Sequence, residues 1–556
     1  MVTPSLDGRL RLEQTSCYSV LSRVDSYQAA ATVGANGHAL ANGRHGGVLQ
    51  AGSSSEDSGG RVSGVACVEV VCPYTRKLVD EGFARRRDTW RVTSDCSEAT
   101  LNWADYELID WTRVVSGKLR ASSYCVRKGL SRKAQLSRYC NKYASKRPGT
   151  PLKAALPRTL VIDTWEAFDD DMTFNLGGDI ASFGADLGVR QSVSLSTRLD
   201  WCLDEARHWI EGGDDPEAAR ADGRGGESYG ASPGGEGDEP RAGFLGEGEE
   251  RDRKHSRHGL GRQRQQELQR ERQRRRWILK PSTLNKGAEL FLGEDFQTLR
   301  EAVHGSPDIR EWVLQEYVDR PLLVQGRKFH LRAYVLAVGC LEVYLYDDLL
   351  LLRAAKKYPT SAHASGGSGE ERFGDEPLAH ITNTARQAED ASFVEEDNVW
   401  LLEDLVGELE RQGLSAEQSR SKVEDMLADV KTLTVELFRA FRGEFTVFSP
   451  LPGCFEHFGL DFLVDEDFNV WLLEANPGPD FKQTGSRLQH VIAGVIEGTM
   501  RICLDGSGGL GSSGRGSRCG SGGPGAGEHG NGTKFSLVLD ERWRGDIAAP
   551  PSMKMV

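Results

Sequence analysis

Acidic side chains interrupt an apolar stretch near the end of the chain. Two apolar runs, Leu460–Val464 and Val470–Ala475, flank the polar stretch Asp465–Asn469. Apolar runs on either side of a short polar segment predict a β-hairpin. If the loop after Asp465 has four residues, counting outward from the turn places Asp461 directly opposite Glu474.

Asp461 and Glu474 would then have Cβ atoms about 5 Å apart, where like charges destabilise a sheet. A cation between the two carboxylates removes that repulsion. Asn476 lies two residues beyond Glu474 and therefore points to the same face. Two carboxylates and an amide oxygen suit Mg²⁺, a hard ion that is usually bound together with nucleotide phosphates. A surface hairpin with scattered acids is the alternative, but unpaired carboxylates within apolar strands are costly.

Cationic side chains share one face of a second predicted strand. The alternation of Arg327–Val338 places Lys328, His330 and Arg332 on the same side. Three cationic or ionisable groups on one strand face require an anion. Phosphate groups supply one, and the planar fork of Arg332 can grip them with two parallel hydrogen bonds.

A further pair of lysines lies upstream, on a strand and the loop that follows it. Residues 277–282 predict a strand that carries Lys280, residues 283–287 a loop that carries Lys286, and residues 288–292 a second strand. A strand–polar loop–strand unit suits a cover over phosphates, which backbone N–H groups and lysine charges would neutralise.

Other elements must position these side chains. Residues 312–318 predict a strand that ends in a sharp turn before Pro321, although an ordinary edge strand fits equally well. Residues 341–346 and 349–353 predict the next hairpin. Residues 125–145 predict a basic amphipathic helix, for which a solvated face is the simpler interpretation.

Length and composition limit the classes of protein to which this chain can belong. The 556 residues provide two to four domains' worth of material. The net charge of −13 argues against a general nucleic-acid binder. We find no apolar run long enough for a membrane span and no secretory signal. The 11 cysteines are scattered without a Cys-x-x-Cys pair, which favours reduced thiols in the cytosol over a disulfide framework or a zinc site.

Low-complexity segments interrupt the globular part. The 64 glycines concentrate near residues 34–64, 211–248, 365–374 and 506–532, which predicts disordered tails and insertions. Residues 251–276 are dense in arginine and glutamine. They predict either a disordered insertion or an electrostatic handle for an acidic partner.

Several of these stretches resemble the tubulin–tyrosine ligase family, an ATP-grasp group. The resemblance rests on Phe-Gly-Leu-Asp-Phe-Leu-Val-Asp and Trp-Leu-Leu-Glu-Ala-Asn in the hairpin, on Lys-Phe-His-Leu-Arg from Lys328, on His-Ile-Thr-Asn from His380, and on Arg-Lys-Ala-Gln-Leu from Arg132. These motifs occur in family order. The sequence departs from the family pattern where His330 replaces a common acidic residue and Glu289 replaces a glycine.

The resemblance implies an α+β, ATP-grasp fold in which two lobes clamp the nucleotide, with a smaller N-terminal α/β domain and disordered insertions. The expected order is a disordered leader, an N-terminal ligase-family domain, a central domain, a C-terminal ATP-grasp domain and a mostly disordered tail. Their respective limits are 1–62, 63–156, 157–320 with an Arg-rich insertion at 211–276, 321–505, and 506–556.

The resemblance also implies roles for individual residues. Asp461, Glu474 and Asn476 are expected to bind Mg²⁺, and Arg332 and Arg353 to face the transferring phosphate as catalytic residues. Lys133 is a further candidate for placing substrate or nucleotide, and we interpret His380 as structural. The residues expected to bind ATP are Lys280, Lys286, Gln315, Glu316, Tyr317, Val318, Lys328, His330, Thr382 and Asn383.

The activity implied is that of an ATP-dependent carboxylate–amine ligase, which forms an acylphosphate that an amine then converts to an amide. The substrates would be a free amino acid, most simply tyrosine, and the acidic C-terminal tail of tubulin. Glutamate or glycine addition is an alternative within enzymes. A second alternative is a catalytically weak, ligase-like binding protein. His330 and Glu289, which depart from the family pattern, are the reason for this alternative. We expect a cytoplasmic protein, with cytoskeletal association compatible, and no membrane or nucleic-acid partner.

Overall fold

The computed structural model describes most of the chain that was predicted to be globular. The described residues are 64–168, 194–211, 276–283, 289–359, 373, 376–388, 390, 393–479, 481, 488–505 and 532–541. The predicted leader, most of the insertion at 211–276, most of the tail and Lys286 lie outside them. Three sheets and their covering helices confirm the α+β class.

The first sheet is parallel and has the strand order β2-β1-β3-β4. Its strands are β1 (Gly64–Glu69), β2 (Trp90–Thr93), β3 (Leu101–Ala104) and β4 (Arg120–Ala121). Helices α1 (Pro73–Ala84) and α2 (Trp111–Val115) connect them. A disulfide joins Cys67 to Cys96, so the expectation of reduced thiols throughout is wrong for this pair.

The basic segment predicted as one helix forms two, α3 (Lys128–Ser131) and α4 (Lys133–Lys146). The chain is extended at Arg132, which breaks the helix. The amide nitrogen of Lys133 then donates to the Ser282 carbonyl at 3.1 Å. The next amide, that of Ala134, donates to the Ser282 hydroxyl at 3.2 Å. A residue distant in sequence therefore satisfies two amides that helix geometry leaves free at an N-terminus.

A four-stranded antiparallel sheet with the order β5-β8-β6-β7 forms one wall of the later site. Alternation turns Trp277 and Leu279 outward into an apolar core and Lys280 inward. The strands are β5 (Thr159–Asp163), β6 (Trp277–Pro281), β7 (Phe291–Gly293) and β8 (Glu311–Glu316). Helices α5 (Pro151–Ala154), α6 (Leu195–Cys202), α7 (Asp204–Glu211) and α8 (Phe296–Gly305) accompany it.

The largest sheet has eight strands and centres on β10, which is buried along almost its whole length. One face of β10 packs with helix α13 and the other with helix α14. The strands are β9 (Leu323–Val324), β10 (Arg327–Val338), β11 (Glu342–Tyr346), β12 (Leu350–Arg353), β13 (Val399–Leu401), β14 (Phe455–Val464), β15 (Val470–Pro477) and β16 (Phe535–Asp540).

The helices of this part are α9 (Pro377–His380), α10 (Thr384–Gln387), α11 (Glu395–Asn398), α12 (Leu405–Arg411), α13 (Ala416–Ala440) and α14 (Gln489–Met500). Short 3₁₀ turns occupy Tyr106–Leu108, Trp165–Phe168 and Leu402–Asp404, and a π turn follows α14 at Arg501–Asp505. Among the described residues, no helix combines the length and apolar character needed to cross a bilayer.

The prediction that β11 and β12 form a hairpin with each other is wrong. Both strands pair instead with β10: β11 lies along Val335–Val338 and β12 along Phe329–Arg332. The long central strand thus accommodates the two short strands one after the other. This pairing also sets the direction of Arg353, since it places that residue opposite Phe329.

Candidate functional site

A pocket lies between the inner faces of the four-stranded and eight-stranded sheets. Eleven of the fifteen residues predicted for the site line it. The lining set includes Lys280, Gln315, Glu316, Tyr317, Val318, Lys328, His330, Thr382, Asn383, Asp461 and Glu474. Most side chains that the sequence singled out from separate stretches are therefore brought together.

Strands β14 and β15 form the predicted hairpin, and Asp461 stands opposite Glu474 as expected. The turn differs by one position, because Val464 rather than Asp465 pairs with Val470. A bulge between Asp461 and Phe462 restores the register. An extra residue in one strand changes which side chains face inward beyond it. The bulge is therefore what brings the two carboxylates together.

Arg332 and Asp461 form a buried ion pair on neighbouring strands. The Arg332 guanidinium donates to both carboxylate oxygens, through Nη2 at 2.9 Å and through Nε. The two side chains are only 10% and 6% exposed. Burial raises the pKa of the Asp461 carboxyl to about 7, although Arg332 opposes that rise. A two-bond pair of this kind fixes the direction of the carboxylate as well as its charge.

Glu474 has different neighbours from Asp461. Its Oε2 lies 3.5 Å from Lys133 Nζ, and its Oε1 accepts a hydrogen bond of 3.0 Å from the Asn476 amide. The same amide donates to Asp461 Oδ2 at 3.3 Å. Burial raises the pKa of Glu474, but Lys133 and Asn476 outweigh it and bring the pKa to about 2. Glu474 is therefore ionised at neutral pH.

Two lysines in the pocket have neutral partners. Lys280 Nζ donates to Gln315 Oε1 at 2.8 Å, and Lys328 Nζ donates to the Tyr317 hydroxyl at 2.8 Å. Burial lowers the pKa of Lys280 to about 8 and, with Lys280 nearby, that of Lys328 to about 7. A buried ammonium without a carboxylate beside it is unfavourable until an anion arrives.

His330 and Thr382 meet at the pocket wall. The ring Nδ1 of His330 lies 2.7 Å from Thr382 Oγ1, and its Nε2 lies 3.8 Å from Asp461 Oδ1. Burial and the adjacent Arg332 lower the pKa of His330 to about 3, so the ring is neutral. Asn383 uses its side chain to cap α10, accepting from the Ala385 amide at 3.0 Å. This local hydrogen bond holds the Thr382–Asn383 turn against the pocket.

Residues 316–318, which are expected to bind ATP, continue from the end of β8. The amides of Glu316 and Tyr317 donate to the carbonyls of Arg158 and Arg276, each at 2.8 Å. Those two amides serve the sheet, so they are not free for a base edge. Gln315 lies beside them and bridges Lys280 to the hydroxyl of Thr159 through its two amide atoms.

Arg353 does not reach the pocket. Its position opposite Phe329 places it on the face of β10 that carries Phe329, whereas Lys328, His330 and Arg332 occupy the other. Its guanidinium donates to Gln325 Oε1 at 2.6 Å and to the Asp397 carbonyl, and it lies 4.3 Å from the Trp400 ring centre. The expected convergence of Arg332 and Arg353 on one phosphate is therefore absent in this structure.

Two residues contribute more than the sequence suggested. Lys133 lines the pocket and lies against Glu474. His380, interpreted as structural, also lines it and contacts the Tyr317 hydroxyl through Nδ1 at 2.9 Å. Its place in the His-Ile-Thr-Asn motif beside Thr382 was the available sequence signal.

The donor set fits a hard divalent cation. Asp461 and Glu474 are joined through one Asn476 amide group, and carboxylate oxygens are what Mg²⁺ prefers. The same region fits a nucleotide's phosphates, because the half-buried Lys280 and the buried Lys328 are hydrogen-bonded to neutral groups in the part of the chain that the structure describes. With both present, the metal and the lysines would share the neutralisation of phosphate charge.

Comparison with known proteins agrees with this chemistry. Human tubulin monoglycylase TTLL3 is 26% identical over 239 residues, 41% of this chain and 29% of that protein. A probable tubulin–tyrosine ligase of Schizosaccharomyces pombe, C12B10.04, is 32% identical over 197 residues, 35% of this chain and 43% of that protein. The matched parts thus span less than half the length of these two curated relatives.

A solved structure also aligns with the chain. It is the C-terminal domain of Kluyveromyces lactis Pby1, "an ATP-grasp enzyme interacting with the mRNA decapping enzyme Dcp2". The alignment covers 86% of this chain and 99% of that one, at 21% identity and a TM-score of 0.49.

The family model of the tubulin-tyrosine ligase family matches residues 251–508. That span contains the hairpin, β10 and all the residues that line the pocket except Lys133 and Pro157. The pocket within this span lies between two sheets, as predicted. This match, over just under half of the chain, makes the tubulin–tyrosine ligase family the one that the chain resembles.

Proposed function

We propose that this protein is an ATP- and Mg²⁺-dependent carboxylate–amine ligase that adds an amino acid, most simply tyrosine, to the acidic C-terminal tail of tubulin. One observation carries the proposal. Two lysines with neutral partners, the half-buried Lys280 and the buried Lys328, face the carboxylates of Asp461 and Glu474 across one pocket. This is the charge arrangement that a metal-bound triphosphate would complete.

Asp461 and Glu474, with Asn476, would hold the metal, which supplies charge neutralisation on the phosphates. Lys280 and Lys328 would bind phosphate oxygens. Phosphoryl transfer needs positioning and electrostatics more than covalent help from the protein. No nucleophilic side chain is therefore required in the pocket.

The proposed reaction needs no oxidant or reductant. The acceptor carboxylate oxygen attacks the γ-phosphorus, and the bond to the leaving ADP oxygen breaks. The amino group of the free amino acid then attacks the acyl carbon, phosphate departs, and the nitrogen loses a proton. Lys133, which lies beside Glu474 and lines the pocket, would neutralise the departing phosphate.

The acceptor is proposed to be acidic because exposed cations lie on the same segment as Lys133, which lines the pocket. Arg132 is exposed at the break between α3 and α4, and Arg138 is exposed six residues later on α4, where it lies 3.7 Å from Glu311. Arg127 is less suited to this role, since it neutralises the buried Glu456. A tubulin acceptor makes the cytoplasm the proposed site of action.

A second candidate is a ligase-like binding protein with weak catalysis. Its supporting observation is the Arg332–Asp461 pair, in which the guanidinium already occupies both oxygens of a proposed metal ligand. The neutral His330 beside them adds no negative charge for a cation. Glutamate or glycine remains the alternative to tyrosine, and the named activity of TTLL3 supports that alternative.

The decisive experiment combines ATP turnover with product analysis. The full chain is incubated with Mg-ATP, a tubulin-tail peptide and one amino acid, which is tyrosine, glutamate or glycine in separate reactions. The mass of the peptide is then measured by mass spectrometry. A mass increase of one residue, dependent on ATP, supports the ligase and identifies the amino acid. Nucleotide binding without turnover on any mixture would favour the binding protein, and Glu474→Gln serves as the inactive control.

A further inference from the structure

A phenol hydroxyl stands between an ammonium and an imidazole at the mouth of the pocket. Tyr317 Oη lies 2.8 Å from Lys328 Nζ and 2.9 Å from His380 Nδ1. All three residues are buried, with 6%, 7% and 4% of their surface exposed, respectively. All three also line the pocket, so this chain of contacts belongs to its wall.

The donors in this chain can be assigned. A lysine ammonium has three protons and no acceptor, so Lys328 must donate to the Tyr317 oxygen. The phenolic proton is then directed at His380 Nδ1, which accepts only if the imidazole is neutral with its proton on Nε2. Burial, with Lys328 and Arg276 nearby, lowers the pKa of His380 to about 4, which agrees with a neutral ring.

Aromatic packing fixes the far end of the chain. The His380 ring meets the Tyr358 and Phe373 rings edge-on, with centroids 5.2 Å and 4.9 Å away. The hydroxyl of Tyr358 donates to the Asp319 carbonyl at 2.9 Å, so its proton is not available to His380. The Tyr358 oxygen also lies within hydrogen-bonding reach of the Tyr317 hydroxyl. The imidazole is therefore a rigid acceptor.

The three partners come from three separate elements. Tyr317 directly follows β8 of the four-stranded sheet, Lys328 lies in β10 of the eight-stranded sheet, and His380 ends α9. The Lys328 Nζ also lies 4.0 Å from the Tyr317 ring centre. Tyr317, which is anchored in the opposite sheet, thereby holds the charged end of the flexible Lys328 side chain.

We infer that Tyr317 and His380 are positioning residues that hold the Lys328 ammonium ready for a phosphate, and so favour phosphorylated over unphosphorylated ligands. This inference rests on the proposed function, because it takes Lys328 as a phosphate contact. A hydroxyl suits the task better than a carboxylate, since it orients the ammonium without cancelling its charge. The positive charge then remains available to the incoming anion, and its stem does not have to be ordered on binding.

The test compares two ligands in calorimetry on the full chain: a non-hydrolysable ATP analogue with magnesium, and adenosine. Tyr317→Phe keeps the ring and removes the hydroxyl, and His380→Phe keeps the aromatic packing and removes the acceptor. Each should weaken binding of the analogue roughly tenfold, the effect of losing one hydrogen bond to a charged group, and change adenosine binding less than about twofold. Tyr124→Phe, which removes a buried hydroxyl that donates to the Gly339 carbonyl and does not line the pocket, is the matched control and should leave the ratio of the two affinities unchanged.

A double-mutant cycle separates positioning from a general structural effect. In a Lys328→Met background, Tyr317→Phe should no longer weaken analogue binding, because the group it positions is gone. Equal weakening of analogue and adenosine, or an unchanged Tyr317→Phe effect in that background, would overturn the inference.

A measurement without nucleotide tests the positioning of Lys328 separately from the proposed function. The rate at which an amine-reactive acylating reagent modifies Lys328 is followed by peptide mass spectrometry. Tyr317→Phe should raise that rate roughly tenfold, since the charged hydrogen bond that restrains the amine is lost. A wild-type chain that binds no nucleotide would remove the proposed function, and an unchanged acylation rate would remove the positioning of Lys328.

Discussion

Arg332 on β10 and Asp461 on β14 stand directly opposite each other, and the guanidinium donates to both carboxylate oxygens. The pair places a proposed catalytic cation in contact with a proposed metal ligand. Removing either partner would leave a buried charge uncompensated, which is costly. The bond therefore gives Arg332 a second role, the orientation of Asp461.

The first prediction concerns Glu474. Glu474→Gln removes a charge from the proposed metal site while keeping the size and one acceptor oxygen of the side chain. We expect the fold to persist and Mg²⁺-dependent ATP turnover to fall by more than about 100-fold, since even partners of metal ligands cost about 10- to 100-fold. Turnover at several Mg²⁺ concentrations measures it. Glu466→Gln, at an acid on the exposed turn of the same hairpin, is the control, and equal turnover in both variants would contradict the assignment.

The second prediction concerns Arg332→Lys. Lysine keeps the charge but cannot make two parallel bonds to the Asp461 carboxylate. We expect single-turnover rates to fall about 100-fold, as when one oriented donor is removed from an active site, while ATP affinity changes less than about threefold. Nucleotide affinity and rate are measured on the same preparation, with Arg320→Lys at an exposed ion pair for comparison. Weaker ATP binding at an unchanged rate would make Arg332 a ground-state ligand instead.

The third prediction follows from the displaced position of Arg353. Arg353→Lys should lose the contacts to Gln325 and the Asp397 carbonyl and lower the free energy of unfolding by about 1–3 kcal/mol. Because the side chain faces away from the pocket, ATP turnover per folded molecule should stay within about twofold of wild type. Urea unfolding and turnover together decide the matter. An unchanged stability with a large loss of turnover would restore the catalytic role that the family resemblance implies.

The positions of these residues show how far the sequence could be read. Counting outward from the predicted turn places Asp461 opposite Glu474, and the structure has that pair, although its turn is shifted by one position and a bulge restores the register. The bulge that achieves it has no local signature, because it depends on pairing between strands. Arg353 was misplaced for the same reason: alternation orders side chains along β12 but does not say which residue of β10 lies opposite.

Contacts between residues that are distant in sequence could not be predicted either. The helix over 125–145 breaks because Ser282, in another sheet, accepts from the amides at the start of α4. The Tyr317 and His380 motifs were each visible, but only the folded chain brings their side chains together. The roles assigned to the pocket residues stay predictions until the variants are measured.

The fourth prediction is a pH dependence of phosphate binding. Burial lowers the pKa of Lys328 to about 7 and that of Lys280 to about 8, with Asp319 opposing the shift at Lys328 and Glu474 opposing it at Lys280. A phosphate binds the charged amine, so binding must take up a proton once the free amine has lost it. Affinity for an ATP analogue should therefore be highest below about pH 7 and fall as pH rises through 7 to 8.

Adenosine is the control for that titration, since it carries no phosphate and its affinity should stay level over the same range. The nucleotide's own last phosphate ionisation is complete near pH 7 and acts in the opposite direction, which makes a fall diagnostic of the lysines. Affinity that rises steadily to pH 9 would contradict the prediction.

The fifth prediction is that the Arg-rich insertion is dispensable for the chemistry. Its composition cannot form a core, and it begins after α7 and ends before β6. Replacing residues 212–274 with a short Gly-Ser linker should leave ATP turnover with a short peptide within about twofold of wild type, because a surface connection of different length changes stability little. Loss of turnover by a folded variant would place the segment in the site. A salt-sensitive loss of affinity for whole tubulin alone would support the electrostatic handle.

The hydrogen bonds of Ser282 link a strand of the pocket wall to helix α4. Ser282 lies two residues beyond Lys280, and it accepts from the amides of Lys133 and Ala134 at the start of α4. These hydrogen bonds couple Lys280 to Lys133, although the two lysines come from segments almost 150 residues apart. Any movement of the four-stranded sheet on ligand binding would carry both lysines together unless those two hydrogen bonds break.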